Sequence, residues 1–172
     1  MNLYLKILIA AGVLVAARLI LAPSPQEGGL AMANDIETLT NTRADESVSP
    51  KALHLVFASG NNYTIVQRNM KERRVTGKVV EWRQAVREVD QRGPNRFRVQ
   101  TSATDASLGA FVTLNTRSAA EATYVEGLEP GDEFLFRGRI GGITKRHVDV
   151  ESAVLVDPPT YRGHSSGSEA LQ

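Results

Sequence analysis

The stretch GDEFLFRGRIGG, residues 131–142, decides the fold class of this chain. In its centre, two phenylalanines and a glycine alternate with a leucine and two arginines. This alternation is typical of a β-strand with one buried and one exposed face. We therefore expect Phe134, Phe136 and Gly138 to face a core. Leu135, Arg137 and Arg139 are expected to face solvent. The pair of glycines that ends the stretch predicts a hairpin.

Four other segments have the length and alternation of strands, and turn residues separate them. Upstream of them, residues 51–59 are predicted to form a helical lead-in, with Ser49 as the N-cap and Pro50 in the first turn. Between the third and fourth strands, Ser118 is suited to cap a short helix that Gly127 ends. The other four strands are predicted at residues 75–89, 96–101, 110–116 and 147–156. Five strands in this order predict a mainly β chain that forms an OB-fold barrel.

Three segments carry further information about the fold: VTGKVV at residues 75–80, GLEPGDEFLFRG at 127–138 and VDVESAVL at 148–155. They resemble the bacterial tRNA_anti-like OB-fold proteins, whose recurring form is V-x-G-x-V, then L-x-x-G-D-x-V-x-x-x-G, then a final apolar strand. The likeness covers residues 51–157. It implies an OB fold in an exported or membrane-attached protein of unassigned role, and it supplies no catalytic residue.

The N-terminal segment is predicted to reach a membrane. Residues 3–22 are apolar apart from Lys6 and Arg18, and roughly 20 such residues cross a bilayer as a helix. The basic start favours a cytoplasmic N-terminus and export of everything downstream. One interpretation is an uncleaved anchor, in which the Arg18 side chain extends toward the interface. A second is a signal peptide cleaved after Ala33, which ends an Ala-Met-Ala triplet. A third is a buried helix of a cytoplasmic protein.

The first two interpretations predict a location in the bacterial envelope. An anchor gives an inner-membrane protein with a periplasmic domain, whereas cleavage gives a soluble periplasmic protein. Downstream of the apolar segment, the abundance of Pro, Gly, Ser and Thr predicts a flexible linker, and the polar C-terminus predicts a disordered tail. The predicted organisation is an anchor or signal at residues 1–22, a linker at 23–50, the OB domain at 51–157 and the tail at 158–172.

Several chemistries are excluded or disfavoured by the composition. The chain has no cysteine, which removes disulfides, thiol catalysis, cysteine-bound zinc and a lipid-modified cysteine. The net charge of +1 gives no strong attraction for polyanions. His147, Asp149 and Glu151 alternate along the fifth strand as metal ligands could, but polar residues on an exposed strand face are the ordinary result of half-burial and are the preferred explanation. We therefore predict no catalytic residue, no cofactor and no metal site.

The candidate binding residues lie on or beside the predicted strands. OB barrels bind ligands on the face of strands two and three, and basic grooves with aromatic side chains bind single strands of nucleic acid. The two aromatic candidates have an alternative role in packing against the lead-in helix or closing a barrel end. The six candidates are Arg96, Arg98, Arg137, Arg139, Trp82 and Phe111. We predict a non-catalytic module that binds another envelope protein, with single-stranded nucleic acid or another polyanion as the alternative ligand.

Overall fold

A computed structural model describes residues 34–156 of the chain. The predicted membrane segment at residues 3–22, the cleavage position after Ala33 and the predicted tail at 158–172 lie outside this range. The chain divides into two compact units, Met1–Thr38 and Leu39–Gln172. Of the first unit only residues 34–38 are described, and they are helical. Within residues 34–156, no helix has both the length and the apolar character that a bilayer span requires.

The described part of the second unit, residues 39–156, is mainly β, with five strands and short helices, as predicted. The described elements, numbered in chain order, are α1 (Pro50–Phe57), α2 (Ile65–Val75), β1 (Val79–Gly93), β2 (Arg96–Thr101), β3 (Gly109–Asn115), α3 (Ala119–Glu126), β4 (Glu133–Ile143) and β5 (His147–Leu155). Two predicted N-caps are confirmed: the Ser49 side chain accepts a hydrogen bond from Ala52 N, and the Ser118 side chain accepts one from Glu121 N. Each satisfies a backbone donor that the first turn of a helix leaves unpaired.

The sheet closes on itself in the order β1-β2-β3-β5-β4. Closure depends on the length of β1, because residues 79–85 pair with β4 and residues 86–93 pair with β2. All the pairings are antiparallel except that of β3 with β5. Gly138 allows β4 and β5 to approach closely, since a Cβ there would lie 2.5 Å from Val150 Cγ1. The inward position predicted for this glycine is thus confirmed.

The barrel interior is filled by the residues that alternation assigned to the core. Phe97, Phe134 and Phe136 are fully buried, and the last two stack with ring centroids 5.1 Å apart. Two buried polar side chains, Gln84 and Thr101, are hydrogen-bonded to each other. Gln84 Nε2 donates to Leu108 O, and Thr101 Oγ1 donates to Gln84 Oε1. Because these groups satisfy one another, they do not carry the penalty of unpaired buried polar atoms.

Two predicted element boundaries are corrected. The strand predicted at residues 75–89 starts only at Val79, because α2 continues to Val75 and Gly77 turns the chain with a φ of +83°. The glycine pair Gly141 and Gly142 lies inside β4 rather than in a hairpin. The turn that follows β4 instead spans residues 144–147, where Thr144 N donates to His147 O at 2.8 Å.

The boundary of the ordered unit also differs from the prediction. Residues 39–49, here called the N-terminal strap, were expected to be part of the flexible linker at 23–50. Leu39 is fully buried and Val48 is 5% exposed. The strap is also bonded to the barrel, since Asp45 N donates to Val79 O at 2.8 Å. The polar composition of residues 23–50 hid Val48, whose side chain joins the hydrophobic core.

Candidate functional site

The six candidate residues fall on two different sides of the barrel. Arg96 and Arg98 lie on β2, whereas Arg137 and Arg139 lie on β4. These two strands are not neighbours, because β1 separates them on one side and β3 with β5 on the other. The sequence alone allowed the four arginines to form one continuous basic groove. The structure instead separates them into two pairs on strands that are not adjacent.

Arg137 is engaged in holding the N-terminal strap. It pairs in register with Glu81 on β1, and its NH2 lies 2.6 Å from Glu81 Oε2. Its NH1 donates to the backbone oxygen of Thr40 at 2.8 Å. Because its side chain is only 24% exposed and its donors are committed, Arg137 is a structural residue of the β1–β4 face.

Trp82 is likewise a structural residue, which corrects its candidate role as a stacking surface. It is 6% exposed, and its ring makes an edge contact with Phe136 at a centroid distance of 6.3 Å. Its Nε1 donates to Val48 O in the strap at 3.0 Å. Because Trp82 pairs in register with the fully buried Phe136, its ring lies on the inner side of the sheet, opposite to the Glu81 and Arg137 side chains. On the same strand as Arg137, Arg139 donates from NH1 to Gly77 O at 3.1 Å.

The opposite side of the barrel, formed by β2, β3 and β5, carries an open aromatic cluster. Phe111 on β3 lies in register between Gln100 on β2 and Asp149 on β5. The Arg98 guanidinium carbon lies 4.6 Å from the centroid of the Phe111 ring, a cation–π distance. The His147 ring lies 4.5 Å from it, tilted by 30°. Period-two alternation explains why Phe111 points outward, because the next residue on β3, Val112, is fully buried.

A shallow cavity of about 220 Å³ lies beside this cluster. We call it the Phe111 groove, and its lining comes from β2, β3, β4 and β5: Arg98, Phe111, Thr113, Gly141, Gly142, Asp149, Val150 and Glu151. The absent side chain of Gly141 contributes to its shape, since a Cβ there would lie 2.6 Å from Glu151 Cδ. The sequence did not indicate that Gly141 shapes a groove, because a glycine pair is a stronger signal for a turn than for a strand.

The groove has charges of both signs. Arg98 NH2 lies 3.9 Å from Asp149 Oδ1, and both side chains are close to half exposed. Burial lowers the pKa of His147, as do Arg87 and Arg146, while Asp149 acts in the opposite direction. His147 therefore favours the neutral ring that stacks on Phe111 without a charge to desolvate. Among the described residues, no three His, Asp or Glu side chains come together as a metal site.

A second cavity, of about 370 Å³, lies where β1 bulges away from β2. Val86, Phe97 and Leu128 give it apolar walls, and Arg87 and Glu126 stand among its charged groups. The register shift between Val86 and Glu88 separates the strands locally. Nothing in the alternation of the sequence marks this cavity, because the bulge that opens it depends on the pairing partner.

Comparison with known proteins adds no family to these observations. No protein-family model matches the chain, and no curated protein is significantly similar to it. The resemblance to the tRNA_anti-like proteins therefore stays a prediction, and the functional argument depends on the geometry of the barrel surface.

Proposed function

We propose that this chain is a non-catalytic interaction module of the bacterial envelope, and that the Phe111 groove binds an extended segment of another envelope protein. The observation that carries the proposal is the mixed charge around a partly exposed aromatic ring. Arg98 contacts Phe111, while Asp149 and Glu151 line the same groove. A polypeptide offers both signs of charge together with apolar side chains, and an aromatic ring is a frequent anchor for such a ligand.

The barrel is proposed to be of the OB type. Three features support this assignment: the strand order β1-β2-β3-β5-β4, the parallel pairing of β3 with β5, and the position of α3 between β3 and β4. OB barrels bind their ligands on the face of the second and third strands. The Phe111 groove takes residues from both of these strands, which agrees with a binding role. The resemblance to the tRNA_anti-like proteins favours the same fold.

The envelope location is proposed from the apolar segment at residues 3–22. An uncleaved anchor would keep the domain at the periplasmic face of the inner membrane. Cleavage after Ala33 would release it into the periplasm. Mass spectrometry of the native N-terminus distinguishes the two outcomes, since a mature chain that begins at Asn34 excludes the anchor.

Site-specific photocrosslinking in intact cells tests the proposed partner. A photoreactive amino acid at Thr113 lies in the groove, and a matched one at Asp105 lies on the exposed β2–β3 loop. We expect a discrete crosslinked protein from position 113 and none of the same mass from position 105. The charge reversal Arg98→Glu is expected to abolish that product without lowering the melting temperature. Crosslinks only between copies of this chain, or a product insensitive to Arg98→Glu, would refute the proposed partner site.

Binding of single-stranded nucleic acid is the second candidate, and one arrangement favours it. Arg96 and Arg98 are both exposed on β2, and Arg98 adjoins the Phe111 ring. The same ring already contacts His147, and two carboxylates line the groove, so a stacked base and its phosphate would meet competition and repulsion. A fluorescence titration with oligonucleotides tests this candidate, because phosphate binding weakens steeply with salt. No binding at low salt would eliminate it.

A further inference from the structure

The first half of α2 exposes an unusual amount of apolar surface. Of the five large apolar side chains that are exposed in the described residues, four lie between positions 63 and 70. Their exposed fractions are 45% for Tyr63, 70% for Ile65, 68% for Val66 and 51% for Met70. We call these four residues the α2 patch. Clustered apolar exposure of this kind is typical of a binding surface rather than of ordinary surface composition.

The α2 patch is not required to hold the helix in place. Thr64 and Gln67 form a reciprocal capping box, which fixes the start of α2 by local hydrogen bonds. At the other end, Val75 is buried, and the Glu72 carboxylate accepts a hydrogen bond from Ile143 N at 3.2 Å. A capped and docked helix therefore presents the patch to solvent on a rigid support.

The second half of the helix is strongly basic on its exposed side. Lys71, Arg73 and Arg74 are exposed there, and Arg68, which lies earlier in the helix, is half-buried. The acidic residue of the helix, Glu72, is bonded to the barrel backbone. None of the four cations forms an ion pair with another residue of the described range. Val66, Met70 and Arg73 are spaced by four and three residues, so apolar and basic side chains lie along one strip.

We propose that α2 lies on an anionic membrane surface, with the α2 patch among the acyl chains and the basic half against the phosphate groups. Interfacial helices combine apolar insertion with attraction of Lys and Arg to anionic lipid. Tyr63 stands at the edge of the patch, and tyrosine favours the headgroup region, where its ring and hydroxyl are both satisfied. The proposal rests on the envelope location proposed above, because a membrane must lie within reach, but it does not depend on the Phe111 groove.

The absence of cysteine in the chain allows a clean spectroscopic test. Asn69 is exposed on the patch side of α2, so Asn69→Cys labelled with an environment-sensitive fluorophore leaves the patch itself intact. The labelled full chain is reconstituted in vesicles of phosphatidylcholine, with or without phosphatidylglycerol. We expect a blue shift, and quenching by nitroxide-bearing lipid, only in the anionic vesicles. A label at Asp105→Cys in the β2–β3 loop is the matched control and is expected to show neither.

Two further variants separate insertion from charge attraction. In the Asn69→Cys background, Val66→Gln and Arg73→Glu are each expected to remove most of the quenching. Arg92→Glu, an equal charge reversal in the β1–β2 hairpin, is expected to leave it unchanged. Circular dichroism checks that every variant retains its fold.

Three outcomes would overturn the proposal. They are no quenching at position 69 in anionic vesicles, equal quenching in both lipids, and a spectral shift produced only by added membrane proteins, which would indicate a protein partner instead. Failure of this proposal is distinguishable from failure of the envelope location, because the N-terminal mass reports the location independently. It is also distinguishable from failure of the groove, because crosslinking at Thr113 is measured separately.

Discussion

The β1–β4 face and the Phe111 groove contain the same kind of ion pair in two different settings. On the β1–β4 face, Arg137 NH2 lies 2.6 Å from Glu81 Oε2, and the side chains are 24% and 30% exposed. In the groove, Arg98 NH2 lies 3.9 Å from Asp149 Oδ1, and the side chains are 46% and 43% exposed. The first pair lies beside the N-terminal strap, whereas the second is open to solvent. An outward arginine on a barrel strand is therefore committed to internal contacts or open to solvent according to what lies beside it.

The aromatic side chains of the two regions show the same contrast. Trp82 contacts the strap through its Nε1 and the core through its ring. Phe111 makes ring interactions with Arg98 and His147, which lie beside it on the barrel surface. The strap accepts hydrogen bonds on both sides of the sheet, from the inward Trp82 at Val48 O and from the outward Arg137 at Thr40 O. Three pairs of variants can break or sharpen this comparison.

The largest effect is expected for Trp82→Ala compared with Phe111→Ala. Removing a buried tryptophan leaves a cavity and an unpaired Val48 O, so we expect a loss of about 3–5 kcal/mol in the free energy of unfolding. Phe111→Ala is expected to cost about 1 kcal/mol or less, because the ring is partly exposed. Urea unfolding at neutral pH measures both. Equal losses would show that the groove is part of the core and would contradict the distinction.

An intermediate effect is expected for Arg137→Met compared with Arg98→Met. Loss of Arg137 leaves the Glu81 carboxylate partly buried without its partner, and we expect a cost of about 1–2 kcal/mol, which is reduced from the fully buried case by solvent exposure. Arg98→Met is expected to change stability by about 0.5 kcal/mol or less. A double-mutant cycle with Glu81→Gln isolates the pair energy. A coupling near zero would mean that Arg137 acts only through Thr40.

The smallest effect is expected from the pH dependence of the strap. Hydrogen bonds from the Lys78 and Ser47 side chains lower the pKa of Asp45 from 3.8 to about 2. Because the folded pKa is depressed, the ionised carboxylate stabilises the strap above pH 3.8, and this contribution is lost as the pH falls toward 2. Asp45→Asn is therefore expected to lower the melting temperature at pH 7 and to leave it unchanged near pH 2.

The partner of Asp45 provides the control for this measurement. Lys78 Nζ lies 2.6 Å from Asp45 Oδ2, so Lys78→Met removes the same interaction from the other side. We expect the two single variants and the double variant to have the same melting temperature at pH 7, within the error of the measurement. Additive losses would show that the two residues stabilise the strap by separate contacts.

Much of the barrel was predictable from the chain itself. The strand at residues 96–101 matches the prediction to the residue, and the inward sides of β2 and β4 follow from alternation of large apolar residues. The capping serines marked the starts of α1 and α3 because N-capping depends on only a few neighbouring residues. The fold class and the composition of the core could therefore be predicted from short stretches of the sequence.

The candidate site was less predictable, because it depends on contacts between distant segments. Arg98 and Phe111 were identified from their strands, but their pairing with His147 and Asp149 requires the parallel contact of β3 with β5. Trp82 was a stacking candidate because Phe97, Phe134 and Phe136 had been assigned to the core. The groove itself is lined by Gly141 and Gly142, which the sequence predicted to form a hairpin turn.

The sequence by itself determined which residues form strands, which faces are apolar and where short helices begin, because these properties arise from the period of side chains and from local capping. Only the tertiary structure decided which outward residues are covered. Coverage is set by the register of long-range pairs, such as Glu81 with Arg137 and Phe111 with Asp149, and by the docking of a strap that has few apolar side chains. The open Phe111 groove and the committed Arg137 are consequences of these long-range contacts.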